Sequence, residues 1–377
     1  MSATLVWQEA GSERSARWQS EAAAPAPLPH EIRLIDDTLP AAEAWRLAQA
    51  GVSLLWRGDW QNARHLLQAM SRRADKQQSR PGKAPATALE AFRQHRAAQA
   101  ARAQALARLL IEVDATHSIQ ARRAQDVAQA CLEAYGPVDT HYLVSLRELL
   151  GVVSAHEWRK KGVLVPALGE TIHVHYGVFS PLRGEYLDLI AQAPLPGKST
   201  AFDIGTGSGV IAALLAKRGV AQIIATDMAP RALACAADNL QRLGLMNQVE
   251  LLQADLFPPG QAKLIVCNPP WLPETPTSPV EAAVYDPESR MLRGFLAGLP
   301  AHLAPGGEAW LIISDIAELL GLRSREELLG WISAAGLRVI NRLDTRPKHP
   351  KATDANDPLH AARSREVTSL WRLTKAA

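Results

Sequence analysis

The chain has 377 residues, 47% of them hydrophobic and 21% charged, with a formal net charge of +3 and an isoelectric point near 8.8. That is the composition of a soluble globular protein of about two domains, and it excludes the disorder-dominated and membrane classes. The slightly basic balance permits an anionic partner without requiring one.

Residues 1 to 38 mix Glu9, Glu13, Arg14, Trp18 and Glu21 with an Ala/Pro stretch. They read as a poorly ordered segment without the apolar core of a signal peptide. No span approaches eighteen apolar residues, so no transmembrane helix is expected. Three cysteines, Cys131, Cys235 and Cys267, lie far apart with no CxxC, which argues against a disulfide framework or zinc site and suits a reducing cytoplasm.

From 39 to 157 the sequence is rich in Ala, Arg, Leu, Gln and Glu. Apolar residues fall at helical spacing in 41 to 56, 60 to 73, 87 to 113, 119 to 135 and 140 to 155. This predicts a helical domain, with a polar connector over 74 to 86. Its arginines are interleaved with Glu90, Glu112, Asp114 and Asp126 and make no clean basic stripe, while Trp45, Trp56 and Trp60 suit a packed core. Residues 158 to 180 contain two short extended runs around Gly169 and read as a hairpin linker. Within it His173 and His175 alternate with Ile172, Val174 and Tyr176, which places them on a solvent face rather than around a metal.

The remaining residues, 181 to 377, form the second domain. From 199 onward apolar runs alternate with amphipathic helices. Strands are predicted near 200 to 204, 222 to 226, 249 to 252, 262 to 267, 308 to 314, 337 to 343 and 367 to 373, the pattern of a doubly wound α/β sheet.

The first chemical signal is AFDIGTGSGVIAALLAKRG, a strand that runs through Asp203 into Gly205, Thr206, Gly207, Ser208 and Gly209 and then directly into a helix. Such a loop lets backbone approach a ligand closely while helix N–H groups face it. A nicotinamide or flavin fingerprint wants G-x-G-x-x-G/A, whereas here the third glycine comes one residue early. The next strand ends in Asp227 and Met228, where a carboxylate can accept both ribose hydroxyls. Asp255 and Leu256 follow the third strand, a position suited to an adenine amino group. Taken singly, Asp203 and Asp227 are equally well read as helix caps or surface carboxylates.

The fourth strand, KLIVC, ends in Asn268-Pro269-Pro270-Trp271. An amide or exocyclic amine nitrogen is a poor nucleophile because its lone pair is delocalised. The Asn268 side-chain oxygen and the Pro269 carbonyl offer two acceptors for its N–H groups, and the prolines hold that backbone rigid. Trp271 offers a flat face for a planar amide or base. Cys267 reads as a small apolar residue at the strand end rather than a nucleophile.

The glycine loop, Asp227, Asp255 and NPPW, in this order on successive strands, resemble class I S-adenosylmethionine-dependent methyltransferases, within them the amino-methylating group. Residues 166 to 377 are most similar to HemK-type protein glutamine methyltransferases, through the VFSPLRGEYLDLI and EAAVYDPESRMLRGFLAGLPAHLAPGG segments. Trp271 stands where that group usually has tyrosine, and SPLRGEY is looser than the familiar P-R-P-x-T-E. The resemblance implies a Rossmann-like sheet with a final antiparallel strand, preceded by a helical domain that grips a protein substrate such as a peptide release factor. It also implies S-adenosyl-L-methionine as cofactor. Asp203, Gly205 to Gly209, Asp227, Met228, Asp255, Leu256 and Asn268 would bind it, with Asn268 also holding the substrate nitrogen. Two other readings stand beside this one: methylation of an exocyclic amine in RNA or DNA, and a cofactor-binding scaffold without catalysis. The connection over 344 to 366, bearing Arg346, Lys348, His349, Lys351, Arg363 and Arg365, is expected to emerge at the cofactor edge of the sheet. It reads as solvated charge or as a phosphate-contacting loop.

Overall fold

The computed structural model describes residues 3–21, 28–29, 31–78, 84–181, 184–278, 280–347 and 354–376. Parts of the polar connector, of SPLRGEY, and of the basic connection with Lys348, His349 and Lys351, lie outside these described residues. The chain divides into two compact units, the first holding residues 1–86 and 93–157 and the second residues 87–92 and 158–377.

The first unit overturns two expectations. The segment read as poorly ordered contains β1 (Thr4–Glu9), β2 (Ser12–Gln19) and β3 (Ile32–Ile35). The half read as helical carries three more strands, β4 (Ser53–Trp56), β5 (Leu109–Val113) and β6 (Tyr142–Ser145), beside helices α1 (Ala41–Gln49), α2 (Trp60–Gln78), α3 (Ala88–Leu106), α4 (Ala128–Tyr135) and α5 (Leu146–Lys161). Together the strands form one six-stranded sheet in the order β1-β2-β6-β5-β4-β3. The β3, β4 and β5 pairings are parallel, and helices connect those strands, so this unit is itself α/β.

The reason is local. SLLW, LLIEV and YLVS are buried on both faces, so they show no alternation, and at four or five residues their apolar run is indistinguishable from one face of a neighbouring helix. In β1, by contrast, Leu5 and Trp7 alternate with exposed residues and pack on Ala16, Leu55, Leu110 and Leu143. That two-residue period is present in the sequence. Trp56 and Trp60 are buried, as expected of core residues, and Trp45 is half-buried with its indole N–H on Gln77.

In the second unit β7 (Val163–Val165) and β8 (Glu170–Ile172) pair antiparallel. His173 and His175 beyond them are half-buried ties rather than solvent-facing residues. The His173 backbone N–H donates to Asn239 Oδ1 at 2.7 Å, and His175 Nε2 meets Asp238 Oδ2 at 2.8 Å. No group of three or more metal-ligating side chains occurs among the described residues.

The main sheet follows. Its strands are β9 (Thr200–Ile204), β10 (Gln222–Asp227), β11 (Val249–Gln253), β12 (Ala262–Cys267), β13 (Leu303–Ser314), β14 (Leu337–Thr345) and β15 (Thr368–Lys375). They are ordered β11-β10-β9-β12-β13-β15-β14. The first five run parallel, while β15 lies antiparallel between β13 and β14, as the sequence pattern and the resemblance implied. Helices α6 (Glu185–Gln192), α7 (Val210–Lys217), α8 (Pro230–Arg242), α9 (Arg290–His302), α10 (Ile316–Leu319), α11 (Arg325–Ala334) and α12 (His360–Arg363) complete the unit. Separate apolar clusters cover the sheet: Leu264, Val266, Trp310 and Ile312 belong to one, Ile265, Cys267, Ala309 and Leu311 to the other. Alternate residues of the same strands therefore face opposite layers, as a doubly wound sheet requires.

The buried strand assignment in the first unit is testable at Leu110, which is fully buried on central strand β5. Leu110→Ala should lower stability by about 2 to 5 kcal/mol in urea unfolding. A helix would place Leu110 one turn beyond α3, whereas a strand predicts slow hydrogen exchange of the Leu54 and Val144 amides flanking β5.

Candidate active site

Strand register sets the level of the site. In the β9–β10 pairing Ile204 stands opposite Thr226, and in the β9–β12 pairing it stands opposite Cys267. The next residue on each strand is therefore Gly205 in the middle, with Asp227 on one side and Asn268 on the other. Because β10 and β12 depart from β9 in opposite directions, this is the place where a doubly wound sheet opens a crevice at its carboxyl edge.

The glycine loop is held to β10 by two bonds from Gly205 and Thr206 backbone N–H groups to the Thr226 carbonyl, at 2.9 and 2.8 Å. Gly205, Gly207 and Gly209 all have positive φ, at 73°, 56° and 80°. Their surroundings differ. A side chain on Gly209 would press on Ala236 of α8, and one on Gly205 would strike Met291, so these positions serve packing. A Cβ on Gly207 would meet no protein atom within 4 Å, so that stretch of backbone faces open space that a ligand can approach.

Asp203 lies beneath the loop, fully buried. Its Oδ2 accepts the Thr206 hydroxyl at 2.7 Å and the Ala212 N–H at 3.1 Å, while Oδ1 has no partner. Burial is the largest influence on it and pushes its pKa up to about 7 against those two bonds. Asp227 is half-buried; its Oδ2 accepts the Gly207 N–H at 3.0 Å and its Oδ1 the Ala229 N–H at 2.9 Å. It therefore clamps the loop as well as facing the crevice. Met228 beside it is exposed.

Asp255 and Leu256 sit differently from one another. The Asp255 carboxylate is exposed and ion-paired with Arg290 at the start of α9. Leu256 adopts φ 76°, its carbonyl accepts the Thr226 hydroxyl at 2.6 Å, and its side chain packs into the apolar layer with α9. A branched residue held at positive φ is backbone strain of the kind that gathers at ligand sites.

In NPPW the side chains are interlocked. The Trp271 indole N–H donates to Asn268 Oδ1 at 3.0 Å. Asn268 and Trp271 are half-buried and Pro269 is buried. Cys267 before them is buried, and burial raises its thiol far above the ordinary range, which keeps it protonated and inert. Leu272 joins Phe92, Ile316, Ala317, Leu320, Leu359 and Ala362 in an apolar cluster against which Trp271 also packs. Thus α12, in the long connection after β14, supports the wall of NPPW. Of the described cations there, Arg363 is paired with Asp357.

Residues 170–319, which span the glycine loop, Asp227, Asp255 and NPPW, match the family model of the methyltransferase small domain. Curated relatives resemble it: the release factor glutamine methyltransferase of Cereibacter sphaeroides is 36% identical over 180 residues, 43% of this chain and 60% of the relative. The protein of the same description from Mycobacterium tuberculosis is 30% identical over 217 residues, 54% of this chain and 59% of the relative. A ribosomal protein L11 methyltransferase of Pelotomaculum thermopropionicum is 33% identical over 159 residues, 41% of this chain and 43% of the relative. The chain thus spans from 43% to 60% of the length of these relatives.

The second unit offers donors and acceptors that fit S-adenosylmethionine. The open space over Gly207 admits a ligand against backbone, and beneath the loop the buried Oδ1 of Asp203 has no partner. Two neighbours of the crevice went unread in the sequence. Arg290 and Met291 reach it through α9, whose start follows Glu288 and Ser289 at φ 55° and 54°; neither residue type announces such a turn.

The Asp203 carboxyl makes a prediction about pH. Unfolded, it titrates near ~3.9, and folded near about 7, so between these values the folded chain keeps a proton that the unfolded chain has lost. Its contribution is fully present below the unfolded value and is lost as pH rises through about 7. The stability of wild type relative to Asp203→Asn should fall between about pH 4 and about pH 7 and level off above, in urea titrations across that range. A flat difference would contradict the burial described for this carboxyl.

Proposed function

We propose that this protein is an S-adenosylmethionine-dependent N-methyltransferase whose acceptor is a side-chain amide of a protein glutamine, with a peptide release factor as the substrate protein. The observation that carries this reading is the register that sets Asn268 and Asp227 on either side of Gly205. Relatives described as release factor glutamine methyltransferases support the choice of acceptor.

When bound, the cofactor supplies an electrophilic methyl group on a sulfonium. Asp203, Gly205, Thr206, Gly207, Ser208 and Gly209 would hold its methionine portion, Asp227 with Met228 its ribose, and Asp255 with Leu256 its adenine edge. Asn268 Oδ1 retains a lone pair beyond the one used by Trp271, and the Pro269 carbonyl is a second acceptor. Gripping both N–H groups of an amide with these two oxygens turns its nitrogen toward the crevice. Pro269 and Pro270 lack N–H groups, so no backbone donor competes at the strand end. Catalysis here is mostly orientation and fixed dipoles, and the acceptor sheds its proton only after it has become cationic.

Asn268→Ala should lower methyl transfer by about a hundredfold or more while changing cofactor affinity by less than about threefold, in calorimetry beside a transfer assay. Equal loss of both would contradict the role given to Asn268. Incubation with radiolabelled cofactor and cell lysate should give label that protease removes. Label removed by nuclease instead would favour a nucleic-acid amine as acceptor, and binding with no transfer would favour a scaffold.

A further inference from the structure

We propose that Asp286 is a positioning residue for the crevice: its buried carboxylate holds the first turn of α9 in place, so that Met291 lies over Gly205 and Arg290 beside Asp255 before any cofactor arrives. The proposal rests on the cofactor reading of that crevice given above.

The start of α9 meets the crevice at three points. The Met291 methyl group stands 2.7 Å from where a Cβ on Gly205 would be, so it covers the loop backbone at the end of β9. Arg290 is paired with Asp255. One turn on, Gly294 lets Leu256 approach, since a Cβ there would lie 2.8 Å from Leu256 Cδ1. The helix is thus a wall facing both the glycine loop and the edge formed by Asp255 and Leu256.

An N-cap residue is normally extended and turns its side-chain oxygen onto the N2 or N3 amide. Ser289 occupies that place in α9, yet it is left-handed at φ 54°, ψ 38° and makes no side-chain cap bond. Glu288 before it is also at positive φ, 55°. Asp286 supplies the missing acceptors from outside the helix. Its Oδ1 accepts the Met291 N–H at 2.9 Å and its Oδ2 the Leu292 N–H at 3.1 Å, two of the amides that a helix start leaves orphaned. Its carbonyl accepts the Ser289 N–H at 2.9 Å and closes the turn between them. Successive left-handed residues persist only where their surroundings over-determine them, and Asp286 holds this pair from both ends.

The same residue is anchored to the NPPW wall. Its backbone N–H donates to the carbonyl of Leu272, the residue after Trp271, at 2.8 Å, and the Leu272 N–H donates to the Val284 carbonyl at 3.1 Å. Backbone ties Asp286 to NPPW, and its side chain ties α9 to Asp286. Asp286 is only 6% exposed, so water competes little for its oxygens. Loss of the side chain therefore frees α9 while NPPW stays tied, and cofactor binding should suffer where the transfer step does not.

Asp286→Ala should weaken S-adenosylhomocysteine binding by about tenfold in calorimetry, the scale of a lost helix cap. Label transferred from saturating S-adenosylmethionine into cell lysate should stay within about twofold of wild type. Asp286→Asn keeps one acceptor oxygen and should weaken binding by about threefold. Ser324→Ala takes the capping oxygen from α11 and serves as the control for general loss of stability; it should leave binding unchanged. In the wild type the Met291 methyl signal, one of five from methionine, should shift when S-adenosylhomocysteine is added. Unweakened binding in both Asp286 variants, a matching loss of transfer at saturating cofactor, equal weakening in Ser324→Ala, or an unmoved Met291 methyl would each overturn the proposal. A wild type that binds no S-adenosylhomocysteine would instead sink the cofactor reading, and this proposal with it.

Discussion

The site depends on the backbone pairing of β9 with β10 on one side and with β12 on the other. A ladder of main-chain bonds fixes register to a single residue, and a slip of one would carry every side chain to the opposite layer. Here it brings Gly205, Asp227 and Asn268 to one level, although they are drawn from sequence positions far apart. None of the three needs a long side chain to reach the crevice. Strand ends deliver them, and the apolar layers on either face of the sheet keep those ends from moving.

That rigidity has an electrostatic counterpart. The buried Asp203 is bonded through one oxygen and has no partner on the other, an arrangement that costs free energy. Asp227 spends an acceptor site on each oxygen holding the loop, and Asp255 is occupied by Arg290. Asp203 keeps one buried oxygen without a hydrogen-bond partner.

Much of the second unit was legible because its elements are long and punctuated. Its central strands β9, β12 and β13 carry apolar runs, β9 closed by Gly205 and β12 by the NPPW prolines, and helices separate most of its strands. The first unit hid its sheet because four-residue strands such as SLLW and YLVS abut helices rich in the same residues, and periodicity needs more length than that to choose. Within the site, sequence supplied residues that end strands and missed those that arrive from helices. Arg290 and Met291 carry no local signature, since their role comes from which strand end the helix happens to pass.

Trp271 shows how one substitution within a familiar pattern alters the physics while keeping the pattern. A phenol at this position both donates and accepts, so it tolerates either orientation of a neighbouring amide. An indole donates only, and so imposes one. Its face, the expected stacking platform, is half covered, because three apolar clusters of the domain close on the same ring. The ring therefore does two jobs at once: its edge selects the oxygen of Asn268, and its buried face ties that choice to the core. Orientation of the Asn268 amide then becomes a property of the folded domain before any acceptor arrives, and preorganised dipoles of this kind spare the reorganisation that water would demand.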